Sequence, residues 1–112
     1  MTEITVTPAE GAYVVRAGGA VLGETTRALE LREGSRAPVL YLPRSDVATA
    51  FLERSETATH CPHKGDAAHF HIIGKSGRIE DAAWSYEDPM EQAGAIRGHL
   101  AFYPDKATVE RL

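Results

Sequence analysis

Ala67-Ala68-His69-Phe70-His71-Ile72-Ile73-Gly74-Lys75-Ser76-Gly77-Arg78-Ile79-Glu80-Asp81-Ala82-Ala83-Trp84-Ser85-Tyr86 is the stretch that decides the fold. Two segments rich in apolar and aromatic residues flank Gly74-Lys75-Ser76-Gly77, whose glycines accept the positive φ of a tight turn. The pattern predicts a long β-hairpin with strands over residues 67–73 and 78–86. Successive side chains of a strand point to opposite faces. His69 and His71 therefore share one face, Ala68, Phe70 and Ile72 the other, and Trp84 and Tyr86 share a face of the second strand.

Strand signals continue on both sides of this hairpin. Ile4 and Val6 alternate with polar residues, and Tyr13-Val14-Val15 leads through Gly18-Gly19 into Ala20-Val21-Leu22, a second hairpin. Residues 25–31 fit a short strand. Val39-Leu40-Tyr41-Leu42, closed by Pro43, reads as a buried strand. After it, Ser45 and Asp46 suit the start of a helix, with Val47 and Phe51 at i, i+4 facing the core. A strand over residues 57–61 stops at Pro62, a helical turn is expected at residues 90–93, and strands close the chain near 99–103 and 107–112. Seven to nine short strands with one or two short helices predict an all-β, mainly antiparallel fold. A single compact curled sheet, barrel- or tent-like, forming one domain over residues 1–112, is the expected architecture.

The chain of 112 residues can bury roughly two-thirds of its unfolded surface, enough for one core. Its net charge of −4, with nine arginines and three lysines scattered singly, lacks the basic face of a nucleic-acid binder. No apolar run is long enough to span a bilayer, and Met1-Thr2-Glu3 does not open a signal peptide, so a soluble cytoplasmic protein is expected. Cys61 is the only cysteine, which excludes an internal disulfide framework.

Reactive groups concentrate in Thr59-His60-Cys61-Pro62-His63-Lys64-Gly65. Alternation puts Thr59 and Cys61 on one face of the strand. An ammonium three residues after a thiol favours the thiolate, while Lys64-Gly65 is equally suited to hold an anion, the glycine allowing close backbone approach. Against these stand plain alternatives: a lone cysteine packs as a small hydrophobe, and a turn lysine is solvated. His69 and His71 on one face, with Cys61 or His63 across the sheet, could form a three-ligand metal site, whereas histidines on the polar face of a half-buried hairpin need no metal. Trp84 and Tyr86 form either an aromatic pocket wall or core.

Four ordered motifs then stand together: Tyr41-Leu42-Pro43-Arg44-Ser45-Asp46-Val47, Thr59-His60-Cys61-Pro62-His63-Lys64-Gly65, Ala82-Ala83-Trp84-Ser85-Tyr86-Glu87-Asp88-Pro89 and Leu100-Ala101-Phe102-Tyr103-Pro104-Asp105. Over about residues 20–107 the chain resembles the domain-of-unknown-function family 427. The resemblance implies a compact β fold with the motif residues around a shared cleft, and no established reaction. Cys61, Pro62, Lys64, Gly65, Trp84, Tyr86 and Pro89 match its pattern.

The leading expectation is a small-molecule binding domain for an anionic ligand. Cys61 and Lys64 are the candidate catalytic residues, and Arg44, Asp46, Thr59, Gly65, Trp84 and Tyr86 the candidate ligand-binding residues, with no metal site or cofactor assigned. A monomer or a homodimer through an edge strand is compatible with this. The alternatives are a structural or protein-interaction module without a ligand, and a metal-binding domain through Cys61 and nearby histidines.

Overall fold

The computed structural model describes residues 3–112. Within them the chain is all-β and antiparallel, with ten strands: β1 (Ile4–Pro8), β2 (Tyr13–Ala17), β3 (Ala20–Thr25), β4 (Leu29–Glu33), β5 (Val39–Pro43), β6 (Leu52–Cys61), β7 (Gly65–Gly74), β8 (Gly77–Ser85), β9 (His99–Phe102) and β10 (Thr108–Arg111). The 67–86 hairpin forms as β7 and β8, with Gly74 opposite Gly77 at the turn. Gly77 takes a φ of 120°, the conformation that requires glycine there.

The strands divide into two sheets, one of seven strands in the order β1-β4-β5-β9-β8-β7-β6 and one of three in the order β10-β2-β3. The expected all-β fold is present, but in two sheets in place of one and without a closed barrel: the large sheet is open, ending at β1 and β6. The β2–β3 hairpin is claimed by the C-terminal β10. β3 meets the connection after β5 through the isolated bridge Gly23–Val47 and the hydrogen bonds Ala48 N–H to the Leu22 carbonyl and Thr25 Oγ1–H to the Asp46 carboxylate. A Cβ at Gly23 would collide with the Asp46 carbonyl oxygen, so this crossing depends on glycine.

Alternation along the central strands separates two cores. Leu42, Phe70, Ile72, Ala83, Leu100 and Phe102 face the small sheet and pack with its Val15, Ala17 and Leu22. Tyr41, Ala67, Trp84 and Ala101 point the other way, into a second cluster with Leu31, Tyr86, Ala93 and Ile96. Part of that second face is covered by the 3-10 segment Glu91–Ile96, the helical turn expected after Pro89.

The helix expected after Pro43 does not form. Its place is taken by two 3-10 turns, Arg44–Asp46 and Thr49–Phe51. Val47 between them is extended because it bridges Gly23, while Ala48 N–H donates to the Leu22 carbonyl. Ser45 consequently caps nothing, and Phe51 lies exposed. Among the described residues no helix is long and apolar enough to cross a membrane.

Candidate functional site

The second face carries a cavity of about 240 Å³ where the Glu91–Ile96 segment leaves the sheet uncovered. Its lining includes Glu33 and Leu31 from β4, Tyr41 from β5, Thr59 from β6, His69 from β7 and Trp84 from β8. Lys64, Arg36, Tyr86 and Tyr103 reach it from connecting segments. Thr59, Lys64, Trp84 and Tyr86, four of the residues singled out in the sequence, are thus brought together.

Lys64 enters because the corner after Cys61 folds tightly. Its N–H donates to the Cys61 carbonyl over 3.2 Å, its carbonyl accepts from Met90 N–H over 2.9 Å, and Gly65 follows with a φ of 111°. Gly65 is thereby a conformational requirement of the corner and does not itself line the cavity. The Lys64 ammonium is buried in an ion pair with the equally buried Glu33, and lies 5.9 Å from the Tyr86 ring centroid. The hydrogen bond from Lys64 and its charge hold the Glu33 carboxyl below the usual range. Arg36 sits on the turn after β4, where its N–H donates to the Glu33 carbonyl, and its guanidinium is 4.0 Å from the Glu33 carboxylate.

Aromatic rings supply the wall. Trp84 Nε1–H donates to the Tyr41 hydroxyl at 3.2 Å, with the two rings edge-on at 6.2 Å. Tyr103 lies against Trp84 at a centroid distance of 4.5 Å. Burial pushes the Tyr41 phenol up to about 12 and raises Tyr86 and Tyr103 as well, so all three stay protonated at neutral pH. His69 is buried at 3% exposure, its Nε2 2.8 Å from the Thr59 hydroxyl. Burial lowers its pKa, which favours the neutral imidazole.

Other expected site residues lie elsewhere. Cys61 shares the face of Thr59 but packs half-buried against the second apolar cluster, outside the cavity lining, and Lys64 is engaged by Glu33. Arg44 stacks over Phe70 and reaches Glu87 at 3.4 Å. Asp46 accepts from Thr25 at 2.7 Å and Arg27 at 3.0 Å, which together lower its pKa. Both belong to the connection after β5, away from the cavity. The histidines also part: His60 pairs with Asp66, His69 with Thr59, and His71 Nδ1 accepts from Asp81 N–H. Among the described residues no three His, Cys, Asp or Glu side chains gather as a metal-binding group. His69 is also a buried residue here, where a solvent-facing one was the simpler expectation.

The family model described as a domain of unknown function, DUF427, matches residues 5–111, nearly the whole chain. The chain belongs to that family. No curated protein matches it. Family membership brings no reaction, so the chemistry must come from the cavity.

The residues that sequence reasoning missed are Glu33, Arg36, Tyr41 and Tyr103 as parts of one site. Tyr41 and Tyr103 stood inside quoted motifs, whereas Glu33 and Arg36 flank Gly34-Ser35 and read as ordinary turn charges.

Proposed function

We propose that the chain binds a small anionic molecule in the cavity between β4, β7 and β8. The observation that supports this best is the charge of the lining: Lys64 and Arg36 stand against the single carboxylate of Glu33, beside an aromatic wall. A partly enclosed site with one excess positive charge favours an anion, because ion pairing strengthens as water is excluded. Trp84, Tyr86 and Tyr103 would pack the body of the ligand, and the Thr59 and phenol hydroxyls would donate to its polar atoms. The only amine in the lining, Lys64, is taken up by Glu33, so binding rather than covalent catalysis is the function proposed. The single unpaired thiol of Cys61 suits a reducing, cytoplasmic setting.

Trp84 is the only tryptophan of the chain and stands in the cavity wall, so its emission reports directly on occupancy. Titration with small anions and uncharged analogues of the same shape should give saturable changes for anions alone. Equal responses to the uncharged analogues, or none to any compound, would remove the proposal.

A second reading, a structural module without a ligand, is favoured by one observation: the Glu33–Lys64 pair ties β4 to the corner before β7. Absence of any saturable response in the same titration is its expected result.

A further inference from the structure

Arg36 and Lys64 are not equivalent cations, and the difference narrows the class of ligand. Lys64 is buried and its ammonium is already matched by the Glu33 carboxylate. Arg36 lies at the edge of the cavity with its side chain 77% exposed, 4.0 Å from Glu33 and beyond hydrogen-bond reach. Among the described residues no other acidic group pairs with it. Its planar fork of donors matches a carboxylate in a two-point contact, which the compact ammonium of Lys64 cannot provide.

Three further observations bear on what the fork would hold. Lys64 and Arg36 less Glu33 leave one positive charge, enough for a monoanion, whereas a phosphate monoester brings about −1.5 to −2 at pH 7 next to the buried Glu33 carboxylate. Flat or aliphatic side chains, Trp84, Tyr86, Tyr41, Val39 and Leu31, make up much of the wall, with Thr59 and His69 as its polar members. A space of about 240 Å³ is that of about eight waters at ~30 Å³ each, which gives room for a body of one ring.

We propose that Arg36 is the anion-recognising residue of this cavity and that its ligand is a monocarboxylate with a flat apolar body about one ring in size. This rests on the anion-binding reading above. Lys64 and Glu33 then act as the positioning pair that shapes the floor, and Arg36 supplies the contact that selects the ligand. An exposed arginine on a turn is also a position where substitution leaves the fold intact, so its role can be isolated.

The test is calorimetric titration of the whole chain with benzoate, phenyl phosphate and benzamide, three probes sharing one ring. It is done on the wild type and on Arg36→Gln and Arg36→Lys, with thermal midpoints confirming that the variants fold. Benzoate is expected to bind at least about tenfold more tightly than the other two. Arg36→Gln should lose about tenfold or more for benzoate, and Arg36→Lys should recover only part of it. Phenyl phosphate binding as tightly as benzoate, or Arg36→Gln binding benzoate unchanged, overturns this inference and leaves the anion-binding reading standing. Benzamide equalling benzoate, or no probe binding, overturns both.

Discussion

Lys64 and Glu33 are 8% and 5% exposed, so each is the other's replacement for water. Removing one partner of such a buried pair strands a charge in a poorly solvated site and typically costs about 3–5 kcal/mol, whereas replacing both by apolar groups of similar volume is often near neutral. Lys64→Met alone should therefore lower stability to urea by about 3 kcal/mol or more, and adding Glu33→Leu should restore most of it. A double variant as unstable as the single one would show that the pair is not the source. The pair also sets a pH dependence. Because Lys64 holds the Glu33 carboxyl below its ordinary value of 4.5, this stabilisation is complete above that value. It is lost as pH falls through the lower folded value, where the folded protein must take up the proton it resisted. The wild type should accordingly lose stability more steeply on acidification below about pH 4.5 than the double variant. Glu33 was not legible as a site residue because its partner lies 31 positions away, and local spacing carries no information about such a pairing.

Two irregularities lie side by side in the outer strands. Between Arg54 and Ala58 the register of β6 on β7 shifts, and between Phe70 and Ile72 that of β7 on β8 shifts. Asp81 joins them: its carboxylate accepts from Thr57 at 2.8 Å, its N–H donates to His71 at 3.0 Å, and its φ is 46°. A left-handed conformation costs roughly 1–2 kcal/mol in a residue with a Cβ and little in glycine, and aspartate tolerates it better than a branched side chain. Asp81→Gly should lose the carboxylate's hydrogen bond from Thr57, keep the backbone donation to His71 and relieve the backbone, while Asp81→Val loses the same bond and keeps the strain. Chemical denaturation should place the valine variant below the glycine variant by about 1–2 kcal/mol, and equal stabilities would show that the backbone is not strained there. The hairpin itself was readable from alternation and its glycine turn, as were Val39 to Leu42 and the closing strands. The bulges were not, since an extra residue leaves no mark on composition. The helix expected at Ser45 failed for a related reason: the bridge between Val47 and Gly23 overrode a plausible capping pattern, and that bridge is a long-range contact. The same limit explains the site. Thr59, Lys64, Trp84 and Tyr86 were marked by local motifs, and Arg36 owes its position to a turn whose function appears only once β4 lies beside the Lys64 corner.

At the scale of the molecule, an open seven-stranded sheet leaves β6 as a free edge of ten residues. Unpaired N–H and C=O groups along such an edge are a template for another strand, and self-association follows unless the edge is interrupted or charged. β6 is both. Its partnering with β7 breaks across residues 55–57, and Glu53, Arg54 and Glu56 are exposed along it. The bulge bends the strand away from the straight, regular row of donors and acceptors that a second copy would need. Copies are therefore not expected to pair through β6 at micromolar concentration. A variant lacking Glu56 and Thr57 leaves one residue opposite His69 in place of three, since Arg54 pairs with Phe70 and Ala58 with Ala68. It removes an exposed charge at the same time, and its straightened edge should self-associate with increasing concentration in sedimentation velocity. A variant that associates no more than the wild type while keeping its β-sheet circular dichroism would show that the bulge is not the guard, and that the charges on the outer strand suffice to keep copies apart.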